Sequence, residues 1–378
     1  MIYLDHAAAT PVDKRVLSAM EPYFSCDFFN PSAAYLPAKK VAADYEVAKA
    51  TIAHAIGAKV NDLVITAGAT EANNLAFNCV EPDKKVLYLI TEHDSVRNVA
   101  KRFNSAAIAV DKFGRIRLDD LKQKLTDDVM LISISLVNNE LGTIQPLAEV
   151  AALIRETRLD RLKRGIKTPL FLHSDASQAL NLLDINVARL GVDLLTLNSA
   201  KLYGPKGVGA LYLSHDVKLS PVTYGGGQEN GLRSGTENVS GVIGFAKAVT
   251  LAKEHLAGNR KKYAAMKKTL LEALQGYELI NRKHSIDNFI VLCYNGIDGE
   301  RLIYRLEDEG VFVSTGAACA ASKGVKSHVL AAIGLSDAEI AGSLRLTLGE
   351  TNTEEQIRTA AKIINTAVER ERERISHE

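Results

Sequence analysis

Short apolar runs alternate with longer stretches of helical periodicity over the first half of the chain. The runs that predict strands are residues 62–66, 85–90, 130–136, 170–173, 193–197 and 208–213. The stretches that predict helices between them include residues 38–56, 70–79, 95–103 and 147–157. Buried strands separated by helices are typical of a mostly parallel sheet covered on both faces. The alternation therefore predicts an α/β fold, in which ligands collect at the carboxyl ends of the strands.

The pattern changes after the glycine-rich segment 224–227. The segments that follow, a helical stretch (one helix or two), three strands and a final helix, are predicted at residues 239–276, 288–294, 311–314, 343–348 and 353–375. This is the pattern of a smaller α+β domain. We expect a large domain at residues 16–250, and a small domain formed by residues 1–15 and 251–378 that carries the cysteine loop described below.

Charge and cysteine content narrow the function classes. Lys and Arg total 46 against 45 Asp and Glu, so the net charge is +1 and neither nucleic acid nor an anionic membrane is an expected partner. The sequence has neither a signal-peptide pattern at its N-terminus nor a run long enough to span a membrane. The four widely spaced cysteines, Cys26, Cys79, Cys293 and Cys319, form no C-x-x-C pair. This argues against a metal site or a disulfide framework and predicts a reducing, cytoplasmic location.

Two charged residues follow predicted buried strands. Lys201 precedes a Gly-Pro turn at the end of one strand, where partial desolvation favours the neutral amine that a Schiff base requires. The alternative is a surface lysine in a turn. Asp175 closes another strand, where a carboxylate can keep a pyridine nitrogen protonated. The alternative is the N-cap of a helix.

Three more segments follow the same logic. The turn that contains Ala69 and Thr70 joins a strand to a helix, as a phosphate cradle does, although an ordinary capped turn would look similar. His93 follows a strand and has the chemistry to stack on an aromatic cofactor and move protons, or it is structural. Asn138 also lies near a strand end. Because all five segments are predicted at one edge of one sheet, they favour a cofactor site.

Ordered segments across the chain resemble those of cysteine desulfurases, the NifS/IscS-like branch of the class V aminotransferases. The matching segments are residues 4–11, 30–32, 66–75, 91–93, 137–142, 173–178, 201–207, 225–236 and 343–349. The resemblance implies a fold type I enzyme with a seven-stranded sheet and a pyridoxal 5'-phosphate cofactor. It also implies conversion of L-cysteine to L-alanine. The alternatives are a selenocysteine lyase, another class V enzyme, or a non-enzymatic scaffold that has lost its cofactor.

The resemblance assigns roles to cofactor-binding residues. It implies that Lys201 is the Schiff-base lysine, that Asp175 faces the pyridinium nitrogen and that His93 is the stacking acid/base histidine. Gln178 is expected at the phenolic oxygen of the cofactor, and Thr70, beside Ala69, at the phosphate.

Further roles concern the substrate and a second subunit. The resemblance implies that Arg345 grips the substrate carboxylate with help from Asn138. Thr236 resembles the threonine that reaches the phosphate of the neighbouring subunit, so a homodimer is implied. Cys319 lies in a run of small residues at 314–325 and resembles the cysteine that accepts sulfur and delivers it to a partner protein. Iron–sulfur cluster assembly and tRNA thiolation remain equally open. The alternative for Cys319 is a small buried filler.

The chain departs from the family pattern at a few positions. Asn198 and Ala200 stand where relatives carry a serine and a histidine that both contact the phosphate. Asn198 still has a hydrogen-bond donor, whereas Ala200 has none. Tyr35 replaces a histidine, and Glu350 replaces an arginine. We therefore expect a weaker hold on the cofactor, with the main reaction unchanged.

Overall fold

The computed structural model describes residues 1–315 and 326–377. The strands are β1 Ile2–Tyr3, β2 Leu63–Thr66, β3 Lys85–Leu89, β4 Asn104–Ile108, β5 Val129–Ser133, β6 Phe171–Asp175, β7 Leu194–Asn198, β8 Gly209–Leu213, β9 Glu278–Leu279, β10 Phe289–Cys293, β11 Val311–Phe312 and β12 Ser343–Thr347. The helices are α1 Lys14–Met20, α2 Pro22–Ser25, α3 Leu36–Ala55, α4 Ala69–Ala76, α5 Asp94–Ala100, α6 Leu118–Lys124, α7 Leu147–Lys163, α8 Val187–Leu190, α9 Val239–Ala273, α10 Gly299–Asp308, α11 His328–Ala332, α12 Asp337–Ala341 and α13 Glu354–Ser376.

A seven-stranded sheet with the order β2-β8-β7-β6-β5-β3-β4 forms the centre of the molecule. Strand β8 runs antiparallel to its neighbours β2 and β7, and the remaining pairs are parallel. The predicted mostly parallel α/β sheet is confirmed. Edge strand β4 was not predicted, because its sequence Asn-Ser-Ala-Ala-Ile lacks the long apolar run of the central strands.

Both faces of this sheet are covered, as the apolar runs predict. In β2, Leu63 and Ile65 join one hydrophobic core, whereas Val64 joins a second core on the opposite face. Helices α3, α7 and α9 contribute to the first core, and α4 and α5 to the second. Successive side chains of a strand point to opposite faces, so a strand between two cores must be apolar throughout.

The predicted stretch 239–276 forms one continuous helix, α9, of 35 residues. Its buried side chains include Val242, Phe245, Met266 and Leu270, and it packs along α3 and α13. The expected domain limit at residue 250 lies inside this helix. The division into two domains stays a prediction.

The N-terminal residues lie against the C-terminal part of the chain. Strand β1 pairs in parallel with β11, and Asp5 forms a bridge with Thr347 at the end of β12. Strands β12, β10 and β9 form a separate antiparallel sheet. Residues 1–5 therefore connect to the same unit as β12, which brings Asp5 close to the arginine at the centre of that strand. Among the helices of the described residues, none has the length and apolar character needed to span a membrane.

Candidate active site

The carboxyl ends of β2, β3, β5, β6 and β7 open into one cavity of about 320 Å³. The predicted site residues that line it are Ala69, Thr70, His93, Asp175, Gln178, Asn198, Lys201 and Arg345. Other lining residues, which sequence reasoning did not single out, include Ala7, Ala8, Ser135, Asn139, Glu140, Ser177 and His328. The five strands run in the same direction because β8 separates β2 from β7 by two antiparallel pairings. The predicted convergence at one sheet edge is therefore confirmed.

Lys201 ends a single 3₁₀ turn that follows β7 directly. Asn198 caps this turn, since its side-chain oxygen accepts a hydrogen bond from the backbone N–H of Ala200 at 3.2 Å. The Lys201 Nζ enters the cavity and donates to the carbonyl oxygen of Ala7 at 2.8 Å, and also to that of Ala8. The amine is therefore held in the cavity by the N-terminal segment, not displayed on a surface turn.

Asp175 is the last residue of β6 and is 8% exposed. Its Oδ1 accepts from the backbone N–H of Ser177 at 2.8 Å, and its Oδ2 accepts from Asn73 Nδ2 at 2.8 Å. Turns follow it in place of a helix, so the alternative of a helix N-cap is wrong. The two hydrogen bonds fix the orientation of the carboxylate at the end of β6.

Helix α4 begins at Ala69, and its first-turn N–H groups and the Thr70 hydroxyl lie at the cavity. Gly68 has a φ of +141°, which a residue with a Cβ adopts only with strain. Strand β8 passes closely below, since a Cβ on Gly209 would lie 2.8 Å from the Gly68 Cα. This glycine pair lets the turn lie flat on the sheet and exposes the start of α4, where a phosphate is favoured.

Arg345 is central in β12 and only 3% exposed. Its Nη2 donates to Asp5 Oδ1 at 2.6 Å and its Nη1 to the carbonyl oxygen of Asn139 at 2.9 Å. Its buried Nε has no hydrogen-bond partner among the described residues. These two hydrogen bonds hold the guanidinium at the cavity wall, and the Nε–H remains without an acceptor among the described residues.

Asn138 does not line the cavity. Its Nδ2 donates to the carbonyl oxygen of Thr91 at 2.9 Å, and its Oδ1 accepts from the N–H groups of Glu140 and Leu141. These contacts shape the turn that brings the neighbouring Asn139 and Glu140 to the cavity. A direct contact of Asn138 with cofactor or substrate stays a prediction.

Two buried carboxyl groups lie beside the cavity and were not predicted. Burial raises the pKa of Glu92 to about 8, with the Asp175 charge adding to the effect and the Ser135 N–H opposing it. Burial also raises the pKa of Glu140 to about 7, against the effects of Ser327 and Arg345. Glu92 directly precedes His93, but a glutamate in a sequence gives no sign of its burial.

Two other predicted site residues are not seen at this cavity. Thr236 is exposed and does not line the cavity within its own chain. Cys319 lies outside the described residues, so its role in accepting sulfur stays a prediction. The described cysteines, Cys26, Cys79 and Cys293, are free thiols. Burial raises the pKa of the Cys79 thiol to about 12, which makes it unreactive near neutral pH.

The residues at the cavity fit a phosphorylated pyridine aldehyde. An amine, a carboxylate, an imidazole and a helix N-terminus with a hydroxyl face one space. The buried hydroxyls of Ser135 and Ser177, both at the cavity, have no hydrogen-bond partner among the described residues. Over the same residues, no group of His, Cys, Asp and Glu is arranged to hold a metal ion.

Known proteins are similar to this chain in sequence and in fold. The family model Aminotransferase class-V matches residues 2–359. The putative cysteine desulfurase IscS 1 of Bacillus subtilis (strain 168) is 38% identical over 98% of this chain and 99% of that protein.

Two solved structures are similar over most of the chain. The NifS-like protein from Rickettsia africae ESF-5 has a TM-score of 0.88 at 28% identity and covers 98% of this chain and 99% of that one. The structure described as SspA in complex with cysteine has a TM-score of 0.79 at 31% identity, covering 92% of this chain and 99% of that one. With nearly its whole length matched by the family model and by relatives above 30% identity, this chain belongs to the class-V aminotransferase family.

Proposed function

We infer that this chain is a pyridoxal-phosphate-dependent cysteine desulfurase that converts L-cysteine to L-alanine and leaves the sulfur as a persulfide on Cys319. One observation carries the proposal: Lys201, Asp175, His93 and Arg345 face a single cavity at the carboxyl ends of parallel strands. Relatives described as cysteine desulfurases match the chain over nearly its full length. A structural neighbour solved with cysteine supports the substrate.

Five side chains of one subunit would hold the cofactor. The amine of Lys201 would bind it covalently, and the Asp175 carboxylate would keep its ring nitrogen protonated. Thr70 and the start of α4 would bind its phosphate, and His93 and Gln178 would contact the ring. Once bound, the cofactor supplies an electron sink for the substrate's α-carbon.

Arg345 would bind the carboxylate of the substrate. A buried arginine already fixed by Asp5 loses little conformational freedom when it binds a carboxylate, so its remaining donors are well prepared for the task. The alternative of a scaffold without cofactor rested on Ala200, whose side chain has no hydrogen-bond donor for a phosphate.

The carbonyl oxygen of Ala200 accepts a hydrogen bond from the Thr10 hydroxyl, and the cavity around Lys201 remains open. The cofactor-binding set therefore favours an enzyme.

The partners form the finer part of the proposal. A homodimer would bring Thr236 to the cofactor phosphate of the other subunit. The exposed apolar side chains of Phe24, Phe28, Tyr35 and Leu36 offer a surface that a second copy would cover. The sulfur acceptor would be a protein of iron–sulfur assembly or of tRNA thiolation. A reducing cytoplasmic location would keep the accepting thiol free.

The test is to follow sulfur in the purified holoenzyme after addition of L-cysteine. We expect alanine as product, and mass spectrometry should find one extra sulfur on the peptide that contains Cys319. Cys319→Ser should abolish sulfur transfer and keep the bound cofactor's colour, because a hydroxyl forms no persulfide. Lys201→Ala should lose the cofactor's covalent absorbance band.

Cys26→Ser is the matched control, since Cys26 is an exposed thiol in a different part of the fold. It should desulfurise cysteine at the wild-type rate. Extra sulfur on Cys26, or alanine formation by Cys319→Ser at the normal rate, would refute the assignment of Cys319.

A further inference from the structure

His93 is the N-cap of α5, and within the described part of the chain its ring has hydrogen-bond partners only at Nδ1. The backbone N–H of Ser95 donates to His93 Nδ1 at 3.1 Å. The Ser95 hydroxyl lies 2.9 Å from the same nitrogen. A backbone N–H can only donate, so Nδ1 must be the unprotonated nitrogen of the ring. In the neutral ring the proton is then on Nε2.

The Ser95 hydroxyl is itself oriented by Asn73. Asn73 lies on α4 and is fully buried, and its Nδ2 donates to Ser95 Oγ at 2.9 Å. Because Oγ accepts from Asn73, its own proton is free to point at His93 Nδ1. The two Ser95 donors therefore act on the same lone pair of the ring.

The same Asn73 amide also binds the cavity's carboxylate. Its second N–H donates to Asp175 Oδ2 at 2.8 Å. A carboxylate oxygen only accepts, which assigns this side of the Asn73 amide as nitrogen. One buried side chain thus connects Asp175, at the end of β6, to the histidine that follows β3. The connection is Asp175–Asn73–Ser95–His93.

We propose that Ser95 and Asn73 are positioning residues that hold His93 as the Nε2–H tautomer, so that the ring presents a hydrogen-bond donor to the molecule bound in the cavity. This deepens the proposed desulfurase function and rests on it. In the other neutral tautomer, with the proton on Nδ1, the Ser95 N–H would face another donor, so the two hydrogen bonds select the Nε2–H tautomer.

The consequence concerns the hydrogen bond that the ring offers to a bound molecule. In the neutral ring Nε2 carries the proton and has no lone pair, so at this atom His93 donates a hydrogen bond to bound substrate or cofactor and does not act as the base that activates a thiol. Asn73 links this donor to the carboxylate that would face the cofactor ring, so one residue orients both.

The first experiment measures the tautomer in holoenzyme labelled with ¹⁵N-histidine, using His93→Gln to identify the signals. Multiple-bond ¹H–¹⁵N correlation should show Nε2 carrying the proton and Nδ1 as the bare nitrogen. Ser95→Ala keeps the backbone N–H and removes the hydroxyl. It should raise the share of the other tautomer, because one of the two donors to Nδ1 is lost and only the backbone N–H remains.

The second experiment separates kcat from KM. Ser95→Ala should lower kcat about three- to tenfold, as expected for one lost hydrogen bond, with KM for cysteine unchanged. Ser95→Thr keeps a hydroxyl and should restore both the tautomer and kcat. Ser336→Ala is the matched control, because Ser336 also caps a helix with its hydroxyl but lies at α12. It should change neither measurement.

A protonated Nδ1 in the wild-type ring would overturn the proposal, and so would Ser95→Ala with both tautomer and kcat unchanged. The tautomer is measured without substrate. If the wild-type enzyme failed to desulfurise cysteine, the proposed function would fall while the ¹⁵N result still decided the state of His93.

Discussion

Single buried carboxyl groups beside the cavity make the stability of the folded protein depend on pH. Glu92 is fully buried, and only one of its two carboxyl oxygens has a hydrogen-bond partner among the described residues, the N–H of Ser135. Its pKa is raised from 4.5 to about 8 by burial first and by the Asp175 charge second. The folded protein therefore binds more protons than the unfolded chain between these pH values. The contribution of Glu92 to the stability of the folded protein is fully present below pH 4.5 and is lost as the pH rises through about 8.

Glu92→Gln should remove this dependence. The amide keeps an acceptor for Ser135 and carries no charge to bury. Each pKa unit corresponds to about 1.4 kcal/mol, so the variant should unfold at a Tm a few degrees above the wild type at pH 8 and near it at pH 5. Differential scanning calorimetry across this range measures the difference.

Glu46→Gln is the control for that comparison, because Glu46 is an exposed glutamate on α3. It should follow the wild-type curve. Parallel curves for Glu92→Gln and wild type from pH 5 to pH 8 would mean that Glu92 is ionised in the folded protein throughout.

At the scale of elements, the segment 225–236 is attached to the fold by a buried ion pair. Glu229 accepts from Lys49 Nζ at 2.8 Å, from Tyr45 Oη at 2.6 Å and from the N–H of Ile65 at 2.8 Å. The side chains of Lys49 and Glu229 are 7% and 6% exposed. Glu229 and Asn230 have φ values of +49° and +59°, which non-glycine residues adopt only when their surroundings hold them there. The carboxylate therefore fixes the segment that ends at Thr236.

Lys49→Met should destabilise the protein by about 3–5 kcal/mol, because it leaves the Glu229 charge buried without its counterion. The double variant Lys49→Met with Glu229→Gln should recover much of this loss, since no uncompensated charge remains. Denaturant unfolding of the single and double variants measures the coupling.

Lys40→Met offers a control on the same helix, because Lys40 pairs with Asp27 in an exposed ion pair. Its cost should stay at or below about 1 kcal/mol. Equal costs at Lys40 and Lys49 would contradict the anchoring role of the buried pair.

For the whole molecule, the number of subunits matters, because Thr236 does not line the cavity of its own chain. If the proposed homodimer places Thr236 at the partner's cofactor, each site combines Lys201 of one copy with Thr236 of the other. Two defective variants should then complement each other, because a mixed dimer rebuilds one intact site.

Lys201→Ala and Thr236→Ala should each have reduced activity alone. When they are unfolded together and refolded at equal amounts, about half of the dimers are mixed and each has one intact site, so activity should approach about a quarter of the wild type. The assay is alanine formation at limiting pyridoxal phosphate. Activity equal to the mean of the two separate variants would show that both residues serve the same subunit's site, or that Thr236 serves none.

Local patterns in the sequence were enough to predict the central strands and the residues that follow their carboxyl ends. Period and apolar runs are local properties, so the positions of Lys201, Asp175 and His93 at strand ends were predictable. Edge strand β4 was missed because a half-buried strand of small residues has no strong local pattern. The family segments also indicated the arginine at position 345, although its partner was not visible in them.

How these parts meet could not be predicted from local patterns. Sheet order, with β8 inserted antiparallel between β2 and β7, depends on pairing between distant segments. Asp5 reaches Arg345 across 340 positions of sequence for the same reason. The raised pKa of Glu92 and the hydrogen bonds that fix the His93 ring arise from burial and from the neighbours that packing supplies. Local sequence specifies backbone preference, whereas burial and partner choice are set by contacts between segments that the chain order keeps apart.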